Sequence, residues 1–152
     1  MSHARTQIRD YVVGTALDTL RGQTADKVIH STQFYPRTQY PFIAAHTGNE
    51  RSLDESNNRP NTAKRYKRAL DLTIEIGVKT STTPEATLDA LILLVEQRMY
   101  VDQTFGDTVV YSDLRRTAID PVRDGETPVL IARLTYEVGY RTTAADPETF
   151  LR

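Results

Sequence analysis

The sequence predicts a single α+β domain, in which two helices pack on a largely antiparallel sheet of about five strands. Residues 70–79 alternate strictly between apolar and polar side chains, and residues 82–99 carry a capped amphipathic helix. Candidate strands also follow one another in pairs instead of alternating with helices, which favours antiparallel pairing in the order α-β-β-β-α-β-β. At 152 residues, with no internal repeat, the whole chain 1–152 is expected to form one domain.

The first predicted element is a helix at the N-terminus. Ser2 is a suitable N-cap, and apolar residues between Ile8 and Leu20 recur at spacings of three and four. Gly22 is well placed to end this helix in a left-handed conformation.

Two short strands are predicted next, at residues 27–31 and 42–47, joined by an irregular connection rich in aromatic residues and proline. Residues 48–62 contain four asparagines and almost no apolar side chain, a composition typical of an exposed connection. We therefore expect a polar, mobile loop at residues 48–62.

The second half of the chain has the clearest pattern. The alternation of residues 70–78 extends back through Arg68 and Tyr66, which predicts a strand long enough to project as a hairpin arm. Thr82 or Thr83 caps the second helix and Pro84 fits its first turn. Two closing strands are predicted near residues 108–117 and 130–141.

No motif for catalysis or metal binding is found in the sequence. The chain has no cysteine, and His3, His30 and His46 lack the spacing of a zinc site. It contains neither a GxSxG elbow nor a glycine-rich phosphate loop. We therefore expect no catalytic residue, no metal, no cofactor and no enzymatic activity.

Charge and hydropathy predict a protein without a membrane partner. The formal net charge is −1 and the mean hydropathy is −0.47. No stretch approaches the roughly 18 apolar residues that a membrane span needs, and the N-terminus does not resemble a signal peptide. We expect production in the cytoplasm.

One segment is strongly basic. Residues 51–68 hold six basic residues against two acidic ones, a net charge of +4. Such a segment is suited to contact with a phosphate backbone or an acidic neighbour, although a merely solvated loop explains it equally well. Our candidate residues for a subunit interface or a lumen are Arg51, Arg59, Lys64, Arg65, Tyr66, Lys67 and Arg68.

Three passages of the chain carry a family resemblance: the opening residues 2–9 (SHARTQIR), the closing strand at residues 132–141 (ARLTYEVGYR) and the strand-then-helix passage at residues 70–99. In these passages the sequence resembles the tail terminator and minor tail proteins of long, non-contractile-tailed phages. It covers nearly the whole chain in element order and rests on no invariant motif.

The resemblance implies a structural role in the virion. Tail terminators assemble as a hexameric ring on the head-proximal end of the tail tube, where they stop tube polymerisation and form the head-joining surface. The implied partners are further copies of the chain, the tube protein and a neck protein, with DNA passing through the lumen. Assembly in the host cytoplasm is implied as well.

Two alternatives remain open. Another neck or head–tail completion protein would share the size and character of this chain. A small nucleic-acid-binding module is the alternative from a different class, and the near-neutral net charge argues against it.

Overall fold

The computed structural model describes residues 3–23, 29–30, 40–55, 63–79, 82–124 and 127–151. The fold is α+β, with an antiparallel sheet and two α-helices, which confirms this coarser part of the prediction. The elements in chain order are α1 (Ala4–Tyr11), β1 (Ile29–His30), β2 (Phe42–Asp54), β3 (Arg65–Lys79), α2 (Pro84–Val101), β4 (Tyr111–Asp124) and β5 (Thr127–Thr143).

Four long antiparallel strands form the body of the sheet. The order across the sheet is β1-β2-β3-β5-β4, and β4 is its outer strand on one side. The first strand has only two residues and pairs in parallel with β2, matching Ile29 to Ala44 and His30 to Ala45. Without this two-residue strand the described sheet has four strands in the order α-β-β-α-β-β, so the predicted five strands and their order are not matched exactly.

Half of the predicted loop at residues 48–62 is a strand. The second strand continues past Thr47 to Asp54, and the register shifts by a bulge between Thr47 and Glu50. Antiparallel pairing with β3 satisfies the backbone of these polar residues, so the strand needs no apolar alternation to persist. Residues 56–62, the remainder of that loop prediction, lie outside the described residues.

The N-terminal helix is shorter than predicted. His3 is the N-cap, and its Nδ1 accepts a hydrogen bond from the backbone N–H of Arg5 at 3.2 Å. The proposed cap Ser2 lies outside the described residues. After Tyr11 the chain continues as a π-helical turn, Val12–Ala16, and a 3₁₀ segment, Asp18–Gln23. Gly14 and its β-branched neighbours have low helix propensity, which explains why the α-helix does not extend further.

The core lies between one face of the sheet and the helices. From α2, Leu88, Leu91, Val95 and Met99 are buried at helical spacing against β3 and β5. The even-numbered residues of β3 from Leu70 to Val78 are buried beneath them. Within the described part of the chain, no helix covers the opposite face at the end where β3 begins, and we call it the helix-free face.

Candidate interaction surface

Strand alternation divides the basic segment between two faces. On β3, Arg65 and Lys67 point to the helix-free face and are exposed, whereas Tyr66 and Arg68 share the phase of the buried Leu70. Lys64 is exposed just before the strand begins. Pairing opposite Ala69 places the side chain of Arg51 on the helix-free face as well. Arg59 lies outside the described residues.

Arg68 belongs to a half-buried polar cluster on the helix side. Its guanidinium Nη1 donates to Glu50 Oε2 at 3.1 Å, and its Nε donates to the hydroxyl of Thr142 at 2.9 Å. The other carboxylate oxygen of Glu50 accepts a hydrogen bond from the hydroxyl of Tyr140. Burial, and then the bond to Glu50, raise the pKa of the Tyr140 hydroxyl. These contacts show that Arg68 stabilises the fold, and its role at an interface or lumen stays a prediction.

Tyr66 also faces inward with this cluster. The guanidinium carbon of Arg68 lies 5.3 Å from the centroid of the Tyr66 ring, within cation–π range. Tyr66 is half-buried, so its ring is engaged within the chain. The exposed members of the predicted patch among the described residues are Arg51, Lys64, Arg65 and Lys67.

Glu137 on β5 organises the charges of the helix-free face. Its carboxylate accepts hydrogen bonds from Arg51 at 2.5 Å, from Arg115 at 2.9 Å and from the hydroxyl of Tyr111 at 3.0 Å. The hydrogen bond from Arg115 is the largest cause that holds the pKa of Glu137 below its usual value. Burial, and then Glu137, raise the pKa of Tyr111. The sequence gives no hint of this residue, because its partners come from other strands.

Further along this face, charges alternate across the strands. Arg133 contacts Asp120 at 2.6 Å and Glu75 at 3.4 Å, and Arg141 lies 3.3 Å from Glu55. Many charges on this face are therefore neutralised within the chain. In contrast, Lys64, Arg65 and Lys67 form no ion pair in the described part of the chain.

The hairpin of β2 and β3 projects beyond the start of β4. The strand β4 begins at Tyr111 opposite Gly139, while β5 stays paired with β3 for four more residues, to Thr143 opposite Arg65. Four residues of strand correspond to about 13 Å. Leu53, opposite Lys67, is 65% exposed. We call this projecting set, Leu53, Lys64, Arg65 and Lys67, the hairpin patch.

A groove lies at the other edge of the sheet, between the end of α2 and β4. Its volume is about 470 Å³, and its lining includes Glu96, Tyr100, Asp113, Leu114, Arg115 and Tyr136. Tyr100 is 74% exposed and Leu114 is also exposed, while Tyr136 is buried at the floor. Burial, and then the charge of Glu96, raise the pKa of Tyr136.

The groove was not predicted from the sequence. Most of its residues come from α2 and from the ragged region around residues 108–117, and Tyr136 comes from β5, so only packing brings them together. One signal was present, because Tyr100 and Val101 are apolar yet lie off the buried stripe of α2, and both are 74% exposed. Ser112 also lines the groove, and its hydroxyl donates to the carbonyl of Gln103 at 2.9 Å.

Searches for other kinds of site and for relatives gave four negative findings. Among the described residues, no three His, Asp or Glu side chains are grouped so that they could hold a metal ion. Over the same ranges, no helix has the length and apolarity to cross a membrane. No protein-family model matches the sequence, and no curated protein matches it.

Proposed function

We propose that this chain is a structural subunit of a phage virion, a tail terminator. Copies of it close into a ring, a hexamer by the resemblance, on the head-proximal end of the tail tube. The ring stops addition of tube protein and offers the surface that a neck protein of the filled head joins. The subunit is assembled in the host cytoplasm, uses no cofactor and catalyses no reaction.

The resemblance of residues 2–9, 70–99 and 132–141 to tail terminators supports this proposal. Within these ranges lie most of α1, the pairing of β3 with α2 above it, and the central part of β5. These elements form the main core of the described structure. The resembling passages thus supply the scaffold, and the surfaces that distinguish one tail component from another lie between them.

One structural observation carries the proposal: two separate surfaces of the subunit, the hairpin patch and the groove beside β4, differ in charge and shape. The β2 side ends in a projecting hairpin patch, whose three cations have no ion-pair partner among the described residues. The β4 side has a groove whose charged lining residues are Glu96, Asp113 and Arg115. Two unlike surfaces on one subunit favour head-to-tail association, which closes into a ring when the rotation between copies permits.

Deletion of the gene in its parent phage or prophage tests the proposal directly. We expect electron micrographs to show tails that exceed their normal length and remain separate from filled heads. Tails of normal length beside unjoined filled heads would assign the protein to the neck instead. Intact, correctly joined virions would contradict a role in assembly altogether.

A complementation experiment tests the basic residues. Neutralising Arg51, Lys64, Arg65 and Lys67 together should lower the phage yield while leaving the fold intact, because all four side chains are exposed. Arg68 must be retained in this variant, since it stabilises the fold through Glu50. Normal yield from the fourfold variant would contradict a role for this patch.

A nucleic-acid-binding module is the second candidate, favoured by the clustering of Arg51, Arg65 and Lys67 on one face. It predicts that the purified chain binds DNA with an affinity that falls steeply with salt. Binding of this kind together with an unaltered tail in the deletion strain would favour it over the terminator.

A further inference from the structure

A pocket lies on the helix-free face, where the hairpin of β2 and β3 meets the start of β4. Its volume is about 240 Å³. Strand pairing places five of its lining residues on this same face, namely Arg51, Leu53, Lys67, Ala69 and Tyr111. Ser52 and Arg68 also line the pocket, although their side chains have the opposite phase of their strands.

The floor of the pocket is apolar. Ala69 lies opposite Gly139, which in turn lies opposite Tyr111, so the three residues are side by side across the sheet. A Cβ atom at position 139 would lie only 2.1 Å from a ring carbon of Tyr111, so this ring covers the glycine. Leu53 forms a wall and is 65% exposed. The pocket is smaller than the roughly 300 Å³ at which sites for drug-sized ligands begin, and its size suits one large apolar side chain.

Charged residues on this face are separated by sign along the strands. Towards the tip of the hairpin lie Arg65, Lys67 and Arg141, the last of which is opposite Lys67 and contacts Glu55 at 3.3 Å. On the other side of the pocket lies a row of three carboxylates, in which Glu137 is opposite both Asp71 and Asp113. The pocket therefore has cations in front of it and carboxylates behind it.

The carboxylates behind the pocket are largely neutralised by the chain. Glu137 accepts hydrogen bonds from Arg51 and Arg115, and Asp113 lies 3.4 Å from Arg115. In contrast, neither Arg65 nor Lys67 forms an ion pair in the described part of the chain. A molecule in the pocket thus meets uncompensated positive charge on the hairpin side.

This one-sided charge favours an acidic peptide over a nucleic acid. The phosphate backbone continues on both sides of a base that stacks on an aromatic ring, so a base on Tyr111 would bring phosphates towards Asp71 and Glu137. A peptide needs a carboxylate on one side only. In an extended peptide, side chains two positions apart share a face at a spacing of about 7 Å, which is also the spacing between Ala69 and Lys67.

We propose that this pocket binds an extended, acidic segment of a partner protein. One large apolar side chain of the segment lies between Leu53 and Tyr111, and a carboxylate two residues away meets Lys67 and Arg65. The inference adds to the proposed function a partner of stated chemistry, and only the assignment of that partner to the virion rests on the proposed function.

Titration of the isotope-labelled chain with blocked hexapeptides, followed by two-dimensional NMR, tests the pocket. The probe is SFSESE, and the matched controls are SSSESE, which lacks the apolar anchor, and SFSKSK, which reverses the charge. We expect millimolar binding of SFSESE with shifts at the amides of Leu53, Lys67 and Ala69, and at least tenfold weaker binding of each control. No shift at these amides, or equal shifts with all three peptides, would overturn the proposal.

Charge exchange gives a second readout. Lys67→Glu should lower the affinity for SFSESE at least tenfold and raise that for SFSKSK, and it is expected to leave the fold intact because Lys67 is exposed. The control variant, Leu93→Ser with Arg98→Glu, changes an exposed apolar residue and an exposed cation on α2 and should bind SFSESE as the natural chain does. An unchanged preference between the two charged peptides in Lys67→Glu would contradict the proposed contact.

The same measurement identifies two other occupants. Oligothymidylate that shifts these amides at a lower concentration than SFSESE would assign the face to nucleic acid. Shifts of these amides that depend on protein concentration, without any peptide, would assign the pocket to a second copy of the chain. Either result would overturn the proposal.

The outcomes also separate this pocket from the terminator role. Overlong tails in the deletion strain without binding of SFSESE would keep the terminator proposal and remove the pocket as a peptide site. Specific binding of SFSESE with unaltered tails in the deletion strain would keep the peptide site and remove the terminator role.

Discussion

Arg68 is largely buried and ion-paired, whereas its neighbour Lys67 is exposed. Replacing each by methionine should therefore show which of the two side chains stabilises the fold. Methionine keeps most of the aliphatic stem and removes the charge. The Arg68 side chain is 13% exposed and that of its partner Glu50 is 10% exposed. Removing one member of a buried ion pair costs about 3–5 kcal/mol, and residual solvent at this site lowers the expected loss to about 3 kcal/mol.

Lys67→Met is the matched comparison. The Lys67 side chain is exposed and forms no ion pair in the described part of the chain, so the change should lie within about 0.5 kcal/mol. Urea unfolding followed by circular dichroism measures both variants. With a slope of about 2 kcal/mol per molar urea, Arg68→Met should lower the midpoint by about 1.5 M and Lys67→Met by at most about 0.3 M.

A double variant examines the cause of that loss. Glu50→Gln combined with Arg68→Met removes both charges, so no carboxylate remains desolvated without its partner. Its stability should exceed that of Arg68→Met alone. Equal midpoint shifts for Arg68→Met and Lys67→Met would refute the division of the basic segment between two faces, and with it the choice of variants for every functional test above.

Three further predictions concern other parts of the chain. Gly139→Ala should cost about 1–3 kcal/mol, because its methyl would overlap the ring of Tyr111, and in a Tyr111→Ala background that cost should disappear. The lowered pKa of Glu137 gives stability that is present above pH about 4.5 and lost as the pH falls further, so Glu137→Gln should flatten acid unfolding below pH 5. Burial, and then Asp102, raise the pKa of Tyr11 from 10.0 to about 12. The stability that this raised pKa contributes is present below pH 10 and falls as the pH rises. Between pH 8 and pH 11 the free energy of unfolding of Tyr11→Phe should therefore fall by about 1.4 kcal/mol less than that of the natural protein.

The sequence predicted best the elements in which the pattern of apolar residues alone shows which face is buried. Alternation from Leu70 onwards marks β3, and Pro84 with the following apolar stripe marks α2, which begins at that proline. In each case the pattern needs no knowledge of a partner strand. The α+β class follows from such patterns because neighbouring strands pair where no helix separates them.

The elements that the sequence predicted poorly depend on partners. Residues 48–54 carry no strand signal, yet they form the second half of β2 because β3 pairs with them. The inward position of Arg68 was in fact readable, since it shares the phase of Leu70, but net charge had grouped it with Lys67. Glu137 and the groove could not be found, because the contacts that define them join residues from different strands and from α2.

The outer strand β4 carries two features that oppose pairing with a strand of another molecule. Leu114, Ile119 and Val122 are exposed on this strand, and an outer strand with apolar side chains ordinarily invites pairing with any available strand. The bulge before Arg116 and the missing N–H of Pro121 interrupt that pairing. The exposed apolar side chains of β4 can therefore contact another molecule without adding a strand to the sheet.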